Sequence, residues 1–262
     1  MVQESRNNPS LRVVPSWHPS STFLALLAGF LGCAVWMLAI PDHERWLVFP
    51  FVLIGFLIGV CLHEFGHAII AYYCGDTTVR EKGYLTLDPL QYTDVVYSII
   101  FPLLIMAIGG IGLPGGAVYI NHHLLRRRVD GALVSAGGPL ATAAVLAVLM
   151  IVLNFMTPTG PYRILYASLA FLALLKVTAL VFNLIPCPGL DGWGIIEPFL
   201  PAQIRQAGRR FGALGPVILM VALFFVPAVN NLFWDAVDAI STLVGLNTRL
   251  ASIGFQLFQF WR

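Results

Sequence analysis

His63-Glu64-Phe65-Gly66-His67 is the tightest group of reactive side chains in the sequence. Two histidines four apart lie on one face of an α-helix, near enough to ligate one metal ion, and a carboxylate stands beside them. Those residue types suit zinc: two neutral imidazoles bind it while the glutamate stays free to move a proton. In this composition a His-Glu-x-x-His match is expected in roughly two shuffled chains per thousand. The surrounding segment is FVLIGFLIGVCLHEFGHAIIAYY, otherwise apolar. Ionisable side chains are costly in a bilayer, so a cluster there marks a functional site.

The elements that must carry this cluster are set by composition. The chain has 262 residues, of which 58% are hydrophobic and 11% charged, and its mean hydropathy is +0.81. A soluble domain of this size could not bury that much apolar surface, so an integral membrane protein is predicted. The net charge of +2 gives no reason to expect a nucleic-acid partner. Cys33, Cys61, Cys74 and Cys187 lack CxxC spacing and read as small apolar residues.

Apolar windows long enough to span occur at about 22–40, 47–73, 131–156, 164–186 and 214–234. Val95 to Ile111 is ambiguous. Arg80 and Lys82 precede it and Arg126, Arg127 and Arg128 follow it, so a single crossing would put one basic cluster outside. A re-entrant or interfacial segment keeps both clusters, with Arg6, Arg12, Arg205, Arg209 and Arg210, on the cytoplasmic side. The C-terminal stretch ending FQLFQFWR reads as an amphipathic or poorly spanning helix with an interfacial aromatic end. The fold class expected is an all-α polytopic membrane protein. It has five to six transmembrane helices around a three-helix core, with a short membrane-associated β-hairpin or re-entrant segment. One domain is expected over 1–262, with its core at about 47–200 and flanking helices at about 22–40 and 214–260.

A second motif ends the 164–186 window: Asn183-Leu184-Ile185-Pro186-Cys187-Pro188-Gly189-Leu190-Asp191-Gly192. The two prolines break the helix, because each lacks an N–H and Pro188 disfavours helical geometry at Cys187. Asp191 is thereby offered on non-helical chain, on the same side of the membrane as His63 and His67 in this topology. Together the motifs resemble the site-2 protease family of intramembrane zinc metalloproteases, peptidase family M50, whose signatures are HExxH and NxxPxPxLDG. Ala136-Gly137-Gly138-Pro139 is similar to the family's small-Gly-Pro element, where small residues let helices approach closely.

The resemblance implies that His63, His67 and Asp191 ligate Zn2+ and that Glu64 is the general base. It makes Asn183 a candidate contact to substrate backbone. A substrate helix must unwind to be cut, and GGIGLPGGAVY, with Gly116, Ala117 and Val118, could pair with the extended chain as an edge strand. The function expected is hydrolysis of peptide bonds within or near transmembrane segments of single-pass membrane proteins, in a prokaryotic plasma membrane with the site toward the cytoplasm. Three alternatives are carried. One is a zincin with Glu197 as third ligand, and the others are a non-catalytic zinc-binding scaffold and a transporter, which would show paired broken helices. Asp76, Asp88 and Asp94 read as solvated loop or helix-cap residues. His122 and His123 read as polar loop residues, and Arg126–Arg128 as an anchor at anionic lipid. Substrate identity and oligomeric state are not encoded in readable form.

Overall fold

The computed structural model describes residues 18–40, 45–91, 118–212 and 214–261. Four of its helices are long and apolar enough to cross a membrane: α1 (Ser21–Ala39), α2 (Arg45–Cys74), α3 (Asp130–Asn154) and α4 (Arg163–Leu184). Shorter helices follow: α5 (Asp191–Ile196), α6 (Ala202–Phe211), α7 (Gly215–Phe225), α8 (Pro227–Leu243) and α9 (Thr248–Phe258). Among the described residues all regular structure is helical. The protein is therefore an all-helical membrane protein, and the hairpin expected at Gly109–Tyr119 lies mostly outside the described residues.

α4 is the central helix. Phe171, Ala173, Leu175 and Val177 along it are fully buried, whereas α1 and α7 turn Leu31, Val35, Val217 and Ile218 outward. Apolar residues on both faces suit a helix enclosed by other helices, and an exposed apolar face suits lipid. α2 and α3 pack backbone to backbone. A Cβ at Gly66 would stand 2.3 Å from the Gly137 carbonyl oxygen, and one at Gly137 equally close to that of Gly66. Only glycine at both positions permits this approach.

One expectation needs correction. The window 214–234 is not one helix: it breaks at Val226, and Pro227 begins α8. Proline lacks the N–H that would continue α7 but suits the first turn of a new helix. At 11 residues α7 spans about 16 Å, too short to cross alone. Among the described residues a fifth span arises if α6 and α7, which meet at a 73° bend, are taken together. The C-terminal segment forms the amphipathic helix expected, with an exposed aromatic end, and it packs onto α4. Gly254 of α9 lies so close to α4 that a Cβ would meet the Ala167 carbonyl oxygen at 2.1 Å. Phe258 is fully buried and stacks on Phe49 at 5.1 Å, although Phe260 and Trp261 beyond it are exposed.

The two flanks of Val95–Ile111 meet at one end of the bundle. Lys82 Nζ donates to the Tyr119 carbonyl at 2.9 Å, and the Arg126 N–H to that of Cys74 at 3.0 Å. Arg80, Lys82 and Arg126–Arg128 therefore gather where α2 ends and α3 begins. The Val95–Ile111 segment itself lies outside the described residues.

Candidate metal centre

His63 and His67 lie roughly 16 and 10 Å from the C-terminal end of α2. Both are buried. Their Nε2 atoms stand 3.2 Å apart. The chain break after α4 brings in the third group. Ile185 is extended, Gly189 has φ +94, and α5 starts at Asp191. Asp191 places Oδ2 3.2 Å from His63 Nε2 and Oδ1 3.3 Å from His67 Nε2.

These separations fit a metal. A tetrahedral ion holding N and O ligands at ~2.0–2.1 Å sets them ~3.3 Å apart. The partners behind the rings agree. His67 Nδ1 lies 2.8 Å from the Val134 carbonyl, which can only accept, so Nδ1 carries the proton and Nε2 presents its lone pair inward. His63 Nδ1 lies 2.9 Å from Thr142 Oγ1, so the same tautomer suits that ring. Two lone pairs facing each other beside a carboxylate need a cation between them. Asp191 Oδ2 is itself buried without a hydrogen-bond partner, as a ligand atom awaiting a metal would be.

Space for the ion comes from α3. A Cβ at Gly138 would sit 2.2 Å from His67 Nε2 and 2.6 Å from His63 Nε2, so only glycine leaves the point between the imidazoles clear. Pro139 follows, and it removes the N–H that would bond the Ser135 carbonyl one turn back.

Glu64 is buried beside this group without joining it. Its Oε2 accepts the Val118 N–H at 3.1 Å. One oxygen is thus fixed by the backbone, which orients the carboxylate and leaves the other to exchange a proton. The Val118 segment is itself tied down by Asp76. That residue is fully buried, accepting the Asn121 N–H at 2.7 Å on Oδ2 and the Thr78 N–H and hydroxyl on Oδ1. Asp76 is therefore a buried strut and not the solvated loop residue expected; Asp88 does cap a turn, through the Leu90 N–H.

Among the other candidates, Asn183 is buried in the last turn of α4 and makes no hydrogen bond to the three ligands. Gly116 and Ala117 lie outside the described residues. Glu197 pairs with Arg209 at 3.0 Å and stands apart from the histidines, which removes it as a third ligand. Sequence reasoning singled out Val118 for substrate but missed its N–H contact to Glu64, and it missed Thr142 and the Val134 carbonyl. Of these only Thr142 left a trace, as a hydroxyl one turn after the glycine-proline element in an apolar helix.

Comparison with known proteins agrees with the chemistry. The chain is 41% identical over 255 residues to a Mycolicibacterium smegmatis protein named "Putative zinc metalloprotease Rip2", covering 94% of this chain and 95% of that one. The Mycobacterium tuberculosis protein of the same name is 40% identical over 250 residues, at the same coverage. A Bacillus subtilis protein named "Putative zinc metalloprotease YwhC" is 27% identical over 197 residues, covering 72% of this chain and 87% of that one. No family model matches the chain, and no solved structure does.

Proposed function

The chain belongs to the zinc metalloprotease family of the Rip2 proteins, and from that premise we propose that it is an intramembrane protease of the site-2 type. It cuts single-pass membrane proteins within or near their transmembrane segments. The observation that carries this reading is the meeting of His63 and His67 of α2 with Asp191 at the start of α5, beside a Glu64 that takes no part in ligation. Zinc when bound supplies a Lewis acid and brings the pKa of a water to near ~7. Glu64 accepts the proton of the attacking water and passes it to the leaving amine. Val134 and Thr142 hold the two imidazoles in the ligating tautomer. A scaffold or transporter would need the ligands but not the base.

The depth of the histidines in α2 and the basic residues gathered at its C-terminal end support a site below the cytoplasmic face of a prokaryotic plasma membrane. The residues flanking 95–111 meet at one end of α2, which supports placing both basic clusters on the same side of the membrane. The segment through Gly116, Ala117 and Val118 would receive the unwound substrate as an added strand, next to Glu64. Asn183 would act at the substrate backbone.

Membranes of cells expressing wild-type and Glu64→Gln protein, compared by quantitative proteomics, test the proposal. Single-pass proteins should accumulate intact with the variant. If none does, and purified wild-type protein loaded with zinc cleaves no membrane substrate, the protease reading fails. Val118→Pro tests the strand. It removes the N–H held by Glu64 and should abolish cleavage with zinc retained; undiminished cleavage refutes it.

A further inference from the structure

A cavity of about 610 Å³ opens at the bundle end where α3, α5 and α6 meet. Four arginines line it: Arg127 and Arg128 from the turn before α3, and Arg205 and Arg209 from α6. Arg205 and Arg209 are four apart on one helix and share a face. Gly208 seats that helix, since a Cβ there would lie 2.1 Å from Cζ2 of the Trp193 indole on α5.

The charges do not balance. Arg209 is paired with Glu197 at 3.0 Å and Arg127 with Asp130 at 3.4 Å. Arg128 and Arg205 have no carboxylate partner among the described residues. Arg205 Nε is moreover buried without any hydrogen-bond partner. Arg205 is half-buried, but a donor atom of its cation closed off from water and left unpaired is costly, so an acceptor fits there. Guanidinium forks from two elements converging on one space match the oxygens of a phosphate. Leu125, Leu190 and Trp193 give the cavity an apolar wall beside its charges. The place is where the long helices end, the level at which phosphates of a bilayer lie.

We propose that this cavity binds a phosphate group, supplied by the headgroup of an anionic phospholipid, and that the bound headgroup bridges α3, α5 and α6. The site is distinct from the metal centre but shares its walls. Leu190 directly precedes Asp191, and Ser135, which lines the cavity, directly follows Val134. A ligand here would hold α5 and the start of α3 in the positions from which Asp191 and the Val134 carbonyl reach the metal centre.

The test uses the full chain in neutral detergent and needs no protease activity. Short-chain phosphatidylglycerol, short-chain phosphatidylcholine and inorganic phosphate are titrated separately, and thermal unfolding and native mass spectrometry report binding. Phosphatidylglycerol should raise the unfolding temperature and be retained one per chain. Arg128→Gln with Arg205→Gln should weaken it by about tenfold or more, and Arg249→Gln, on α9, should not. If the double variant does not fold, Arg205→Lys keeps the charge while losing the fork, and should still weaken binding. Inorganic phosphate that displaces phosphatidylglycerol with the same arginine dependence supports the site and names a free anion as an alternative source. Affinity unchanged by these variants overturns the proposal, as does phosphatidylcholine binding as tightly as phosphatidylglycerol, or an acidic peptide being the only arginine-dependent ligand.

Discussion

Gly138→Ala should empty the metal centre while leaving the helices intact. The added methyl would stand 2.2 Å from His67 Nε2 and 2.6 Å from His63 Nε2, against an ordinary contact of ~3.5 Å. The rings would have to retreat by roughly 1 Å. Neither is free to do so, because the Val134 carbonyl holds His67 Nδ1 at 2.8 Å and Thr142 holds His63 Nδ1 at 2.9 Å. A retreat of that size breaks both hydrogen bonds, and each such partner is worth about 10–100-fold in metal affinity. Zinc binding should therefore weaken by at least ~100-fold. Alanine is the better helix former by ~1 kcal/mol, so helicity should not fall. Zinc affinity is read by competition with a chromophoric chelator and helicity by circular dichroism, both in detergent. A Gly138→Ala protein that binds zinc as tightly as wild type would refute the reasoning. The neighbouring Gly137→Ala should act differently, forcing α2 from α3 at the Gly66 carbonyl and lowering thermal stability as well as metal content.

Glu64→Gln should keep zinc at wild-type stoichiometry and lose at least ~10²–10⁴-fold in cleavage rate, read by metal analysis beside a substrate-cleavage assay. Thr142→Val removes the partner of His63 Nδ1 at nearly constant volume and should weaken zinc about 10–100-fold, measured by the same chelator competition. Lys176 is buried in α4, with its Nζ 3.5 Å from the Phe56 carbonyl and 5.0 Å from the centre of that ring. Lys176→Met removes this desolvated charge and should raise the unfolding temperature in detergent; a fall would mean that the ammonium contributes more than it costs.

The parts of the site that could be read from sequence are those carried by local spacing. Two histidines four apart declare one helix face, and Pro186 and Pro188 declare a break, so the helix pair and the freed chain could be read without coordinates, whereas Asp191 as third ligand is implied by the resemblance of its motif to NxxPxPxLDG. The parts that could not be read are contacts between helices. Nothing near Thr142 or Val134 says which ring they will meet, and Gly138 looks like any small residue at a helix interface until the imidazoles are placed. Burial inverted the meaning of Asp76, which by type and neighbours belongs on a surface turn. Hydropathy averaging hid two features: the break before Pro227, smoothed over by the apolar residues around it, and Lys176, one charge within a long apolar run.

Asp76 and Glu64 both grip their neighbour through backbone N–H groups, at Asn121 and Val118 respectively. Every residue except proline offers such a group, so neither grip specifies a side chain, although Asn121 also caps the next turn by accepting the His123 N–H. The information that holds this stretch of chain over the histidines is stored elsewhere, in one acid within α2 and one just beyond its end. Relatives could therefore differ at residue 118 and still place their backbone alike, whereas replacing Asp76 would let the stretch move with no change in its own sequence.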